Sequence, residues 1–147
     1  MSALTIEAIN EADVEPVVAL WQRCSLTRPW NDPHADIALA RRRDNSTVLI
    51  GRDGGAIVAT AMVGHDGHRG WVYYVAVDPD MQKRGHGRVI MAAAEDWLRQ
   101  AGIAKLQLLV RRENAQANAF YQSLGFEEST SVMFQKWLDG RTTTPSN

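Results

Sequence analysis

The chain has 147 residues, of which 16 are lysine or arginine and 17 are aspartate or glutamate, so its formal net charge is -1. This length suits one domain with a buried core. The near-balance of charge excludes a uniformly basic nucleic-acid binder, and we expect no nucleic acid among the partners. The single cysteine excludes an internal disulfide and argues against a cysteine-based zinc site.

Signals for membranes, targeting and metals are absent from the sequence. No apolar run approaches the roughly 18 residues that a membrane span needs, and the N-terminus, MSALTIEAINEAD, lacks the pattern of a signal peptide. The four histidines form no HxxxH-type pair on one helix, so no metal site is predicted. We therefore expect a cytoplasmic protein with no membrane partner and no metal cofactor.

Hydrophobic periodicity and turn residues predict ten elements along the chain. Asp32 followed by Pro33 is typical of the start of a helix, and Gly102 and Gly125 are typical of helix C-termini. In chain order, the elements are a strand at Leu4–Ile9, a helix from about Asp13 to Cys24, a helix from Pro33 to about Arg43, strands at Ser46–Arg52, Ala56–Gly64 and Trp71–Val77, a helix at Gly87–Gln100, a strand at Lys105–Val110, a helix at Asn114–Leu124 and a strand at Ser129–Leu138.

This order, β-α-α-β-β-β-α-β-α-β, predicts an α/β fold in which helices cover both faces of a mixed, mostly antiparallel central sheet. One domain is expected to span residues 1–138. Residues 139–147, DGRTTTPSN, are short, polar and terminal, which predicts a disordered tail.

The stretch VAVDPDMQKRGHGR, residues 75–88, joins a predicted strand to a predicted helix through a basic turn with two glycines. It is not a P-loop, because Lys83 precedes both glycines and no serine or threonine follows them. It is not a Rossmann fingerprint, because Ile90 holds the place of the third glycine. What remains is a helix N-terminus whose free amides suit a pyrophosphate, since Gly85 and Gly87 let the backbone approach the anion.

A second motif lies downstream in NAQANAFYQSLGFE, residues 114–127. Together with QKRGHG, residues 82–87, it resembles the GNAT family of acetyl-CoA-dependent N-acetyltransferases, whose pattern Q/R-x-x-G-x-G/A is matched by Gln82, Gly85 and Gly87. The stretch LWQRCSLTRPWNDPHADI, residues 20–37, is also similar to a YpeA-like bacterial branch. The resemblance implies a GNAT fold, acetyl-CoA as co-substrate and transfer of an acetyl group to a primary amine.

The resemblance also implies which residues hold the cofactor. Main-chain groups of two strand residues would hold the pantetheine arm like an added strand, and the glycine turn would surround the pyrophosphate. The downstream helix would face the pantetheine and the thioester. The implied cofactor residues are Val75, Val77, Gln82, Lys83, Arg84, Gly85, His86, Gly87, Arg88, Asn114, Ala117 and Tyr121.

Direct attack of an amine on the thioester needs a neutral amine, a donor for the oxyanion and a proton for the leaving thiolate. The resemblance offers the Val75 amide as the oxyanion donor. It offers the Tyr121 hydroxyl as the acid, although a buried aromatic of this kind more often serves packing alone.

The general base is left open by the sequence. Many family members carry a glutamate ahead of the glycine turn, and Trp71 holds that place here. If the odd-numbered residues from Trp71 to Val77 share one strand face, Tyr73 is the nearest titratable group. A water chain, Asp32 or His68 are the other candidates.

The loop TRPWND, residues 27–32, is the predicted site for the acceptor. Arg28 offers a fork of donors for a carboxylate, Trp30 an apolar face, and Asn31 and Asp32 acceptors for an ammonium group. The expected partner is a small-molecule amine or a peptide, and the sequence leaves the oligomeric state open, with a homodimer as one option. The same loop residues could serve as a stiff connection between helices, with Asp32 as a helix cap.

Two other functional classes stay open at the level of sequence. A catalytically silent acyl-CoA-binding or interaction module would bind the cofactor and release no CoA. A nucleotide-binding protein with the same glycine cradle would prefer ATP to CoA.

Overall fold

The computed structural model describes residues 4–142. They form two compact units, of which the first ends at Leu108 and the second begins at Leu109. The expectation of one domain over residues 1–138 stays a prediction. The predicted disordered tail lies in part outside the described residues.

Within residues 4–108, five strands form one sheet, and three helices accompany it. The elements are β1 at Thr5–Ala8, a 3-10 turn at Glu11–Asp13, α1 at Val14–Arg23, α2 at Pro33–Arg41, β2 at Ser46–Asp53, β3 at Ala56–His65, β4 at Gly70–Val77, a 3-10 turn at Pro79–Met81, α3 at His86–Gln100 and β5 at Leu106–Gln107. The sheet order is β1-β2-β3-β4-β5. Neighbouring strands pair antiparallel except for β4 and β5, which pair in parallel.

A side-chain cap begins α2 where the sequence predicts it. Asp32 accepts hydrogen bonds from the amides of His34 and Ala35 at 3.0 and 3.2 Å, ahead of Pro33 in the first turn of α2. Asn10 begins a reciprocal capping box at the 3-10 turn that leads into α1. These caps satisfy amides that have no partner inside the helix.

One face of the sheet carries α1 and α2. Val48 and Ile50 of β2 are fully buried in one core cluster with Val17 and Trp21 of α1 and Ile37 of α2. Residues two apart on a strand point to the same face, and residues three or four apart on a helix line one side. The apolar residues of α1 therefore lie on the face that packs against the sheet.

The opposite face of the sheet carries α3. Leu98 lies so close to Gly70 at the start of β4 that a Cβ on this glycine would come within 2.5 Å of the leucine side chain. Gly70 shares its face with Val72, which pairs with Val63. Because Met62, the neighbour of Val63, packs against the α1–α2 cluster, Gly70 and α3 lie on the other side. The predicted α/β fold with helices on both faces is confirmed.

The predicted strand at Ser129–Leu138 is wrong, because the structure has no strand in this segment. Its apolar side chains include Val132 and Phe134, which are 76% and 92% exposed. β5 is also shorter than the predicted strand at Lys105–Val110. An alternating pattern gives residues that suit a strand, but a strand forms only where a neighbour pairs with its backbone.

The second unit contains α4 at Ala115–Ser123. Asn114 is its N-cap, and Gly125 follows its C-terminus with a φ of 95°, in the left-handed region that favours glycine. The predicted start and end of this helix are confirmed within one residue.

Two properties of residues 4–142 bear on the classes of function considered above. No helix among them is long and apolar enough to cross a membrane. No group of three or more histidine, cysteine, aspartate or glutamate residues among them could hold a metal ion.

Candidate active site

Strand β4 contains a bulge at Tyr74 and Val75. The register between β3 and β4 shifts after Thr60, and neither bulge residue has a partner in that ladder. Tyr74 has a φ of 51°, a left-handed conformation that is uncommon for a bulky side chain and costs about 1–3 kcal/mol. The surrounding contacts must therefore hold Tyr74 in place.

The bulge separates residues that were expected on a single strand face. Trp71 and Tyr73 precede it and stack with 6.4 Å between their ring centroids. Tyr73 pairs with a residue of the α1–α2 face, and Tyr74 packs against the same core. The extra residue reverses the alternation and turns Val75 to the opposite face. The expected common face for the odd-numbered residues from Trp71 to Val77 is therefore wrong.

Three contacts hold Tyr74 in the bulge. Trp21 stacks on its ring, with 3.8 Å between centroids and 5° between planes. Its hydroxyl donates to Asp36 Oδ2 at 2.7 Å, and its carbonyl accepts from the Thr60 hydroxyl at 2.9 Å. Burial and the bond to Asp36 raise the pKa of Tyr74, so the phenol keeps its proton. Trp21 Nε1 completes the network by donating to Thr60 Oγ1 at 2.8 Å.

The network consists of Trp21, Asp36, Thr60 and Tyr74. None of these four residues is among those predicted for the site. Trp21 and Thr60 are fully buried. The signal in the sequence is slight, because Thr60 is one polar residue in an apolar strand and Trp21 fits the apolar face of its helix.

The second edge of β4 is open at the bulge. Its ladder with β5 covers Gly70 and Trp71, and no strand within residues 4–142 pairs with that edge further along. An extended molecule can add to such an edge through main-chain hydrogen bonds. Val75 and Val77 lie along this part of β4. The Val77 carbonyl already accepts a hydrogen bond from Cys24 Sγ at 3.3 Å, and burial raises the pKa of that thiol.

The turn after β4 is tied to the end of α1. Arg23 donates two hydrogen bonds to the Asp78 carboxylate, at 2.7 and 3.2 Å, and the Asp80 amide donates a third at 2.9 Å. Burial alone would raise the pKa of Asp78, but the bonds from Arg23 and Asp80 outweigh it and lower that pKa. This ionised carboxylate fixes the start of the glycine turn.

The N-terminus of α3 has the properties of an anion site. Gly85 is its N-cap, with a φ of 82° that a side chain would rarely adopt. The amide of Val89 donates to the Gly85 carbonyl at 3.1 Å, which leaves the amides of His86, Gly87 and Arg88 without a partner in the helix. No acidic residue lies in the first turn to offset the positive end of the helix dipole.

Exposed polar side chains surround this helix end. Lys83, Arg84 and Arg88 are exposed, and none of them forms an ion pair within residues 4–142. Gln82 is exposed beside them. The His86 side chain is 7% exposed, and its Nε2 has no hydrogen-bond partner among the described residues. Its main chain, rather than its imidazole, suits the expected contact with a pyrophosphate.

The second unit carries the remaining predicted residues. The Asn114 side chain accepts a hydrogen bond from the Ala117 amide at 3.0 Å, so it caps α4. The Tyr121 ring meets Phe120 and Phe126 edge-on, at centroid distances of 5.0 and 5.8 Å. Burial raises the pKa of Tyr121 to about 12, so its hydroxyl is protonated at neutral pH. No side chain or carbonyl within residues 4–142 bonds that hydroxyl.

Comparison with known proteins assigns the family. Residues 8–126 match the model described as the acetyltransferase (GNAT) family. The chain belongs to the GNAT acetyltransferase family. It is therefore an enzyme of the N-acetyltransferase class, whereas the YpeA-like branch stays a prediction.

Relatives cover nearly the whole of this GNAT chain. An acetyltransferase of Yersinia enterocolitica is 37% identical over 135 residues, which are 92% of this chain and 96% of the relative. An acetyltransferase of Yersinia pestis is 36% identical with the same coverage.

Solved structures have the same fold. The aminoglycoside N-acetyltransferase AAC(6')-Iy in complex with CoA has a TM-score of 0.78 and 23% identity, over 94% of this chain and 97% of that one. The ribosomal-protein-S18-alanine N-acetyltransferase of Escherichia coli has a TM-score of 0.72 and 29% identity, over 86% of this chain and 79% of that one.

The GNAT loop between α1 and α2 uses two of its four predicted acceptor residues for its own structure. Arg28 Nη1 donates to two carbonyls of the loop at 2.7 and 2.9 Å, and Asp32 caps α2. Trp30 is half-buried. Asn31 is exposed, and its side chain makes no hydrogen bond within residues 4–142. Asn31 is thus the polar group of this loop best placed to bind another molecule.

The structure gives the three candidate side chains for the base different surroundings. Burial raises the pKa of Tyr73, which makes it a poor proton acceptor at neutral pH. Asp32 accepts two backbone amides, and His68 lies in the turn between β3 and β4, where its amide donates to Asp66 at 2.9 Å. The His68 imidazole makes no hydrogen bond within residues 4–142, so His68 and a water chain both stay candidates for the base.

Proposed function

We propose that this GNAT enzyme uses acetyl-CoA as co-substrate and transfers the acetyl group directly to a primary amine, on a small molecule or at a peptide N-terminus. The proposal rests on one arrangement in the first unit: an open, bulged strand edge followed by an uncompensated helix N-terminus. The edge suits an extended pantetheine arm. The helix end, with its three free amides and exposed basic side chains, suits a pyrophosphate.

The proposed chemistry assigns a role to two groups of this chain. The amine lone pair forms the new C–N bond, and the Val75 amide stabilises the negative oxygen that results. The C–S bond then breaks, and the Tyr121 hydroxyl gives its proton to the leaving thiolate. The extra proton on the newly bonded nitrogen passes through water to the tyrosinate, which restores the Tyr121 hydroxyl. A lysine-type amine has an unperturbed pKa of about 10.4, so it must lose a proton before attack, for which we propose a water chain.

The choice of acceptor is guided by the names of the structural neighbours. One is an aminoglycoside N-acetyltransferase, and another is named for an alanine of ribosomal protein S18. These two classes, polyamine-like small molecules and peptide N-termini, belong in the same acceptor panel.

Acetyl-CoA is expected to stabilise the protein against heat. At a ligand concentration about 100 times Kd the gain in unfolding free energy is about 2.7 kcal/mol, which raises the Tm of a domain of this size by about 5–10 °C. Differential scanning fluorimetry with acetyl-CoA, CoA and ATP measures the shift. CoA release with the amine panel then measures turnover.

Each outcome of that experiment has one meaning. A shift with acetyl-CoA together with CoA release supports the proposed function. A shift without CoA release from any amine would identify a silent acyl-CoA-binding module. A shift with ATP and none with acetyl-CoA would overturn the cofactor assignment.

Asn31→Ala is expected to raise the KM for the acceptor while leaving the Kd of acetyl-CoA unchanged. A hydrogen bond to a charged group contributes about 1.5–3 kcal/mol, which corresponds to about a 10-fold to 100-fold rise in KM. Steady-state kinetics with the best amine of the panel measures KM, and calorimetry measures the Kd. Trp30→Ala is expected to act in the same direction, through loss of an apolar contact.

Arg28→Ala is the matched comparison, because Arg28 holds the loop itself through two carbonyls. We expect it to lower Tm as well as raise KM, whereas Asn31→Ala leaves Tm unchanged. If both Asn31→Ala and Trp30→Ala retain the parental KM, the loop is a structural connection and the acceptor binds elsewhere.

A further inference from the structure

We propose that Thr60 is a positioning residue for acetyl transfer, because its hydroxyl fixes the peptide group that presents the Val75 amide. The inference rests on the proposed function, in which that amide is the oxyanion donor. Trp21 contributes as well, because its indole N–H fixes the direction in which the Thr60 hydroxyl proton points.

The direction of the Thr60 proton follows from the chemistry of its two partners. An indole N–H can donate a hydrogen bond but cannot accept one. Trp21 Nε1 therefore donates to Thr60 Oγ1, at 2.8 Å, and the hydroxyl proton is left for the Tyr74 carbonyl, at 2.9 Å. Thr60 and Trp21 are fully buried, so water does not compete for either bond.

The direction of the Val75 amide follows from the geometry of the peptide bond. The carbonyl of Tyr74 and the N–H of Val75 belong to one planar group, and no peptide bond in the described residues is cis. In a trans peptide the C=O and N–H point in opposite directions. Because the carbonyl points to the Thr60 hydroxyl, the Val75 N–H points away from that hydroxyl and is not turned toward it. Within residues 4–142, the second edge of β4 has no strand partner at this position.

The conformation of the bulge depends on side-chain contacts, because strand pairing between β3 and β4 does not fix it. Tyr74 and Val75 have no partners in β3, and the left-handed φ of Tyr74 is unfavourable for its side chain. The Asp36 bond and the Trp21 ring fix the Tyr74 side chain. Neither contact fixes the Tyr74 carbonyl, so the orientation of the peptide group depends on Thr60.

The test observes the carbonyl group of bound acetyl-CoA by infrared spectroscopy, with 13C at the thioester carbonyl. In the parent protein, hydrogen bonding should lower the stretching frequency relative to acetyl-CoA in solution. Thr60→Val removes the hydroxyl at similar size, and we expect most of this lowering to be lost. Thr60→Ser restores the hydroxyl and should restore the lowering.

Turnover gives a second readout. A full oxyanion donor contributes about 10²–10³ in kcat, and we expect Thr60→Val to lower kcat by about 10-fold or more, with the Kd of acetyl-CoA retained by the glycine turn. Ser46→Ala is the matched control, because it also removes a hydroxyl that donates to a carbonyl, that of Ala40 at 2.8 Å. Ser46 pairs with Gly64 of β3, which in turn pairs with Trp71 and not with a bulge residue. We expect Ser46→Ala to lower Tm but to leave the infrared shift and kcat unchanged.

The outcomes separate this inference from the proposed function. If the parent protein does not bind acetyl-CoA, the proposed function fails. If it binds and shows the frequency lowering, but Thr60→Val shows it equally, Thr60 serves only packing and the inference fails. If Thr60→Val does not fold, the parent protein labelled with 15N-valine decides: the Val75 amide proton should move downfield on adding acetyl-CoA, and an unmoved signal would overturn the inference.

Discussion

Gly87→Asp is expected to reduce affinity for acetyl-CoA by about 100-fold or more while the protein stays folded. Two like charges about 4 Å apart repel each other by about 4 kcal/mol near a protein surface, and the proposed pyrophosphate lies against the amides of this turn. The fold should tolerate the change, because aspartate is favourable in the first turn of a helix, and α3 has no acidic residue there. Isothermal titration with acetyl-CoA measures affinity, and thermal unfolding without ligand measures Tm.

Gly87→Asn separates charge from size, because it adds nearly the same atoms without the negative charge. We expect it to weaken binding much less than Gly87→Asp. Equal losses in the two variants would mean that the side chain blocks the approach of the ligand by its bulk. Full affinity in Gly87→Asp, with the protein folded, would mean that the phosphates bind elsewhere on the chain.

The helices of the first unit could be predicted because their signals are local. Asp32 caps amides that lie two and three residues further along the chain, and Pro33 occupies the first turn of the same helix. The apolar spacing of α1 is likewise contained within one helix. The glycine turn was recognisable for the same reason, since Gly85 and the basic residues around it are consecutive. Local sequence therefore predicts the helix N-terminus at Gly85, where we propose that the pyrophosphate binds.

The bulge could not be predicted, because it depends on contacts between residues far apart in the sequence. Trp21 on α1, Asp36 on α2 and Thr60 on β3 all meet Tyr74, and each of them alone is compatible with an ordinary core residue. A regular alternation was the natural assumption for β4, and it placed Tyr73 and Val75 on one face. One extra residue in the strand makes that assignment wrong.

The prediction of a C-terminal strand is wrong for a related reason. The stretch STSVMFQKWL, residues 129–138, alternates in a way that suits a strand, but strand formation needs a partner as well as a pattern. The choice of a partner is a property of the whole sheet. In residues 4–108, β5 pairs with β4 through only two positions and is shorter than the predicted strand. The apolar run KLQLLV, residues 105–110, gives no sign of this shortening.

Tyr121→Phe is expected to lower kcat by about 10²–10⁴-fold, the usual contribution of general acid catalysis, while the Kd of acetyl-CoA stays nearly unchanged. Burial raises the pKa of Tyr121 to about 12, so the parent hydroxyl carries its proton at neutral pH and can give it to the leaving thiolate. Phenylalanine keeps the ring that meets Phe120 and Phe126 edge-on. The measurement is kcat at saturating acetyl-CoA and amine, with solvent viscosity varied to establish that product release is not limiting.

Phe120→Leu is the control for Tyr121→Phe, because it disturbs the packing of the same ring and leaves the hydroxyl in place. It should lower Tm, since an edge-on contact between two half-buried aromatic rings is lost, with a much smaller effect on kcat. An undiminished kcat in Tyr121→Phe, with chemistry limiting, would return Tyr121 to a packing role. The thiolate would then leave without a proton from this side chain, and stabilisation of the oxyanion at Val75 would have to account for more of the catalysis.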